Sequence, residues 1–130
     1  MHVLAMDTTF RSPNTMWHAI TNPGTAIGVY ITIIVWECLT ATVLICACVA
    51  WARAFIRQRG SDAARLLSTC GWTMEIMLFG GGFIAVGGEW FQMWQSSMWN
   101  GPQSALRYFL IASVGLILAH LPQRELPGRP

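Results

Sequence analysis

Between Thr25 and Trp51 the chain runs TAIGVYITIIVWECLTATVLICACVAW, 27 residues interrupted by a single carboxylate, Glu37. About 20 apolar residues suffice for a helix to cross a hydrocarbon core of ~30 Å. Inside lipid every backbone polar group must be satisfied within the protein, so a segment of this kind has to be helical. Tyr30 near one end and Trp51 at the other are suited to the membrane–water interface. This stretch commits the chain to a membrane and narrows every later reading.

Two further segments follow the same pattern. Residues 66–86 form a second predicted span, broken by Glu75 and softened by Gly71 and Gly80–Gly82. The glycines permit close helix approach or a kink. Residues 105–121 form a third, 17 residues long, with Arg107 in its first turn where a long stem reaches toward headgroups. The predicted fold class is therefore an all-α membrane protein with three transmembrane helices and a short N-terminal interfacial helix, in one domain over 1–130. Ser12-Pro13 is a favourable start for that interfacial helix, Met16, Trp17 and Ile20 supply its apolar stripe, and Asn22-Pro23-Gly24 ends it.

Charge sets the orientation. The hydrophobic fraction is 54% and the charged fraction 11%, against about a quarter charged in globular chains. All eight basic residues are arginine, for a net charge of +2. They are scattered, which does not suggest nucleic-acid binding. Arg53, Arg57, Arg59 and Arg65 crowd the first connection, and Arg124 and Arg129 lie in the tail. The positive-inside rule puts the 52–65 loop and the 122–130 tail in the cytoplasm. With three spans, the external 1–24 segment and the 87–104 loop then face the periplasm of a bacterial inner membrane. The first ten residues lack the charged start and long apolar core of a cleavable signal, so the internal spans direct insertion.

Glu37 and Glu75 are the expensive residues, each near the centre of its span, with Ser113 at the centre of the third. An acidic group at mid-bilayer costs about 2.5–3.5 kcal/mol on insertion scales, so these groups are expected to face protein or water. Two readings are open: a proton-accepting pair, or neutral carboxylic acids that tie helices through Thr40, Thr42, Ser113 or backbone carbonyls. Glu89 lies at the outer boundary, after Gly87-Gly88, where it is expected either to pair with Arg107 or Arg11 or to serve as a polar handle walled by tryptophans. Trp90, Phe91, Trp94 and Trp99 form an expected aromatic interface belt. Cys38, Cys46, Cys48 and Cys70 read as small apolar packing residues.

No cofactor is expected. His18 and His120 fall at opposite ends of the bilayer and His2 near the terminus, so one chain cannot offer two axial haem ligands at one depth. No metal-ligand spacing, phosphate loop or catalytic triad is present, and an enzyme is not expected.

MDTTF (6–10), MWHAIT (16–21), VWECLTA (35–41), GGEWFQMWQSSMWNG (87–101) and ALRYF (105–109) together resemble the bacterial predicted small integral membrane proteins, a domain family of unknown function. The resemblance implies a helical membrane protein, usually of four spans, and supplies no activity or catalytic residue. Glu37 and Glu89 occupy positions in these motifs; Glu75 does not. That pattern usually has one more hydrophobic helix before MDTTF, so the expectation is either that an upstream start supplies it or that this member has lost its first span.

The functional expectation is a non-enzymatic membrane component or accessory subunit, in contact with the lipid bilayer and with a membrane protein partner or further copies of itself. The alternative is a small proton-coupled transporter using Glu37 and Glu75. The orientation is checked by C-terminal fusions. A fluorescent-protein fusion is expected to fluoresce and an alkaline phosphatase fusion to be inactive; the opposite pair of results would invert the topology.

Overall fold

The computed structural model describes residues 2–7, 9–10, 14, 16–58, 60–98 and 100–121, with His18 described by its backbone alone. Among them there is no strand. A single turn, α1 (His2–Ala5), precedes three long helices: α2 (Pro23–Arg57), α3 (Asp62–Ile76) with its continuation to Trp90, and α4 (Pro102–His120). All three are long and apolar enough to cross a membrane.

α2 shows how local chemistry sets its limits. The Asn22 side chain accepts a hydrogen bond from the Gly24 amide at 2.8 Å, and Pro23 takes the first helical position, where no backbone N–H is needed. Asn22-Pro23-Gly24 thus begins the transmembrane helix rather than merely ending what precedes it. At the far end Gln58 adopts a left-handed conformation and its N–H closes on the Ala54 carbonyl. The 35 residues extend about 52 Å, so both ends project beyond the hydrocarbon. Pro102 opens α4 in the same manner, three residues earlier than the predicted span.

The interfacial helix expected over 14–21 is reduced to one 3-10 turn, Met16–His18. The Ile20 amide donates to the Leu4 carbonyl at 2.8 Å, which folds this turn back on α1. The predicted start at Ser12-Pro13, the side chain of His18, Arg11, Arg59, Trp99 and the 122–130 tail lie outside the described residues.

From Met77 to Trp90 the α3 rod changes winding and continues as a π-helix. The bond from the Phe91 amide to the Val86 carbonyl, 3.0 Å, is of this wider i→i+5 kind. Five of these residues are glycine, with no Cβ to crowd the broader turn.

The helices form a layer, not a closed bundle. α3 is central: α2 packs on one side, α4 on the other, and α2 and α4 make no substantial contact. Only 11%, 11% and 17% of the three apolar windows are buried, leaving most of each helix for lipid or for other protein.

Close approach depends on glycine notches. A Cβ on Gly71 would lie 2.5 Å from Leu44 Cδ2, one on Gly115 2.5 Å from the Trp72 indole, and one on Gly80 2.9 Å from the Phe109 ring. Each glycine therefore receives a large side chain from the neighbouring helix. Two indoles add ties to α3: Trp36 Nε1 donates to the Met74 carbonyl at 3.1 Å and Trp51 Nε1 to Ser68 Oγ at 3.0 Å. Trp51, expected as an interfacial anchor, is spent on an interhelical bond. The four cysteines are exposed and unpaired, on the outer surface of the layer rather than packed within it.

Gly115→Ala is expected to lower stability by about 1–3 kcal/mol through overpacking against Trp72. Gly81→Ala, where a new Cβ meets nothing within 4 Å, is expected to be near neutral. Thermal unfolding of both variants in one detergent checks the contrast.

Candidate functional site

Two places collect the polar residues singled out by the sequence: the middle of the α2–α3 seam and the end of the layer where α3 passes into α4.

At the seam, the Trp36–Met74 hydrogen bond puts neighbouring residues of α2 and α3 at one level, and Glu37 and Glu75 lie near enough to interact electrostatically. Glu37 is exposed and Glu75 is partly buried. The pair sits where the winding of α3 changes. The Met77 amide is shared between the Met74 and Thr73 carbonyls, and the Trp36 indole takes the Met74 carbonyl as well. A protein donor entering the backbone ladder in this way is a recognised cause of local helix irregularity.

The hydroxyls expected to help are engaged elsewhere. Thr40 Oγ1 donates to the Trp36 carbonyl, Thr42 to Cys38 and Ser113 to Phe109, each at 2.8 Å. These are i−4 bonds that satisfy a polar side chain within its own helix. Ser113 also lies on α4, which has no substantial contact with α2. The expected convergence of three polar groups is thus reduced to Glu37 and Glu75. The seam offers two carboxyls near one level, one of them exposed.

At the end where α3 passes into α4, Phe10 and Trp17 of the N-terminal segment meet the 90–95 stretch. Met6 is fully buried, at 0% exposure, and Phe91, Met93 and Ser96 are buried with it. The Phe10 amide donates to Gln95 Oε1 at 2.9 Å. Phe10 meets Trp94 edge-on with centroids 6.4 Å apart, and Trp17 meets Trp90 likewise at 5.9 Å. Gly87 and Gly101 make room for Met93: a Cβ on either would come within 2.6 Å and 2.8 Å of its terminal atoms.

This cap revises the aromatic belt. Phe91 is part of a small core and not an interfacial anchor, while Trp90 and Trp94 remain half-exposed. Glu89 is exposed beside a shallow recess lined by Ala85, Val86, Trp90 and Phe91. Arg107 is exposed on α4, and the expected Glu89–Arg107 ion pair is not formed. The ion pair present among the described residues joins His2 Nδ1 to Asp7 Oδ2 at 2.6 Å. Met6 and Met93 escaped the sequence reading because a methionine in an apolar chain carries no distinctive signal. Gly87 and Gly101, flanking Met93 in sequence, were the available clue.

Among the described residues no three His, Cys, Asp or Glu side chains come close enough to hold a metal ion. Three apolar helices, intrahelical satisfaction of the hydroxyls and a small polar cap together define a small helical integral membrane protein. The family model of the predicted small integral membrane proteins, DUF2165, matches residues 1–122, and the chain belongs to that family. No curated protein and no solved structure matches it.

Met93→Ala is expected to destabilise the cap by about 2–5 kcal/mol, as for other buried methionines. Gln95→Ala, which removes only the acceptor for the Phe10 amide, is expected to cost about 0.5–1.5 kcal/mol. Hydrogen exchange should show faster exchange at Phe10 in both variants, with α2 unaffected.

Proposed function

We propose that this protein is a non-enzymatic component of a bacterial inner-membrane complex, an accessory subunit held by a partner helix along the α2–α3 seam. The observation that carries this reading is the exposure of Glu37 near the middle of a membrane span. A carboxyl facing hydrocarbon costs about 2.5–3.5 kcal/mol, and a covering helix that hydrogen-bonds it removes that cost. The open layer supports the same reading, because α2 touches no helix but α3 to any substantial extent and leaves most of its apolar surface for a neighbour. In this reading the arginine-rich connection and the tail lie in the cytoplasm, and the cap lies in the periplasm.

A second reading, a small proton-coupled transporter working as an oligomer, draws on the adjacency of Glu37 and Glu75. Two carboxyls at one depth share a proton more readily than either releases its own.

Purification from native membranes through a tag on the C-terminal tail, followed by mass spectrometry, separates the two. The subunit reading expects a stoichiometric membrane partner that Glu37→Gln retains and Glu37→Leu loses. The transporter reading expects a homo-oligomer whose substrate efflux follows a proton gradient and fails in Glu37→Gln. Recovery of a monomer with no membrane partner would overturn both.

A further inference from the structure

At the end of the α2–α3 seam where the two helices are joined, a cleft of about 490 Å³ opens between them. One face of α2 supplies Ile45, Val49, Arg53 and Arg57, at helical spacing, and α3 supplies Ala64 and Leu67. We propose that this cleft is a binding site for an anionic glycerophospholipid, with its phosphate on Arg53 and Arg57 and an acyl chain on the apolar floor.

Depth supports the assignment. Arg53 lies 15 residues beyond the centre of the Thr25–Trp51 span, or about 22 Å along the helix axis. That is the headgroup level of a bilayer about 40–45 Å thick overall. Side chains of an α-helix lean toward its N-terminus, here back toward the bilayer, so the Arg53 guanidinium is directed to the depth of lipid phosphates and Arg57, one turn further out, reaches back toward them. Ile45 lies two turns deeper, among the acyl chains.

Charge and shape agree with that ligand. Both arginines are exposed, and neither has an ion-pair or hydrogen-bond partner among the described residues. Asp62, the acid of this connection, stands beside Gly60 and pairs with neither. Guanidinium groups bind phosphate bidentately and stay charged at any relevant pH. Ala50, Ala54, Ala63 and Ala64 line the cleft beside Ile45, Val49 and Leu67, an apolar floor suited to a hydrocarbon chain. An amphiphile with an anionic head satisfies both halves of the site at once.

The test uses the full chain in phosphatidylcholine bilayers, with spin-labelled phosphatidylglycerol or spin-labelled phosphatidylcholine as probe, reading the motionally restricted fraction. The protein is expected to prefer phosphatidylglycerol. Arg53→Gln with Arg57→Gln should reduce that preference by roughly five-fold for each arginine, and the paired lysine substitutions should keep most of it. Ala50→Phe, which fills the cleft while leaving both charges, should also reduce it, and Arg107→Gln should not. An unchanged preference in the double glutamine variant, or an equal loss in Arg107→Gln, would overturn the site. Displacement by soluble glycerol phosphate would assign a free-anion site and overturn the lipid.

Discussion

Helices in lipid gain little from hydrophobic burial against one another, since the acyl chains they displace are as apolar as their side chains. What holds this layer together is shape: Leu44 seated on Gly71, Trp72 on Gly115 and Phe109 on Gly80. All three contacts involve α3, twice as the notch and once as the ridge. That arrangement explains why α3 is the middle helix. α2 and α4 each meet a complementary face of α3 and have no comparable pair for each other. Without those glycines the same apolar sequences would still insert, but they would have no particular way to pack.

The central helix also carries the irregularity on which the functional reading turns. Glu75 stands one residue before the end of the regular α-helical part, and the π-wound segment begins at Met77. Trp36 reaches across from α2 to the Met74 carbonyl at that junction. The acid pair, the indole bond and the change of winding thus share one level of the membrane. A carboxyl in the hydrocarbon and a disturbed backbone ladder are both unfavourable there, and their coincidence is the best reason to regard the seam as functional. The cap has a different logic. Met6, Phe91 and Met93 are each buried there, and its ties to the N-terminal segment run through Gln95 and two edge-on aromatic pairs.

Much of this was legible in the residue pattern. Apolar length pointed to three helices long enough to cross a membrane, because crossing ~30 Å of hydrocarbon demands it whatever the neighbours are. The motif GGEWFQMWQSSMWNG identified the family. Side-chain assignments fared less evenly. Phe91 reads as an interface anchor, since an aromatic beside an apolar run has the same appearance whether it faces headgroups or a core. Ser113 seemed a partner for the glutamates because depth along a helix can be counted from sequence, whereas azimuth around a neighbouring helix cannot.

Membrane insertion, helical form and approximate span positions follow from the chain alone, since backbone hydrogen bonding in lipid leaves no other solution. Which helix lies in the middle, which side chains fill the glycine notches and which carboxyl is left uncovered were settled by packing. Glu37 and Glu75 each sit near the centre of a predicted span, and depth alone does not separate them. Only the placement of α2 against α3 makes one partly buried and leaves the other exposed, because that distinction depends on contacts between residues 38 positions apart, such as Trp36 and Met74.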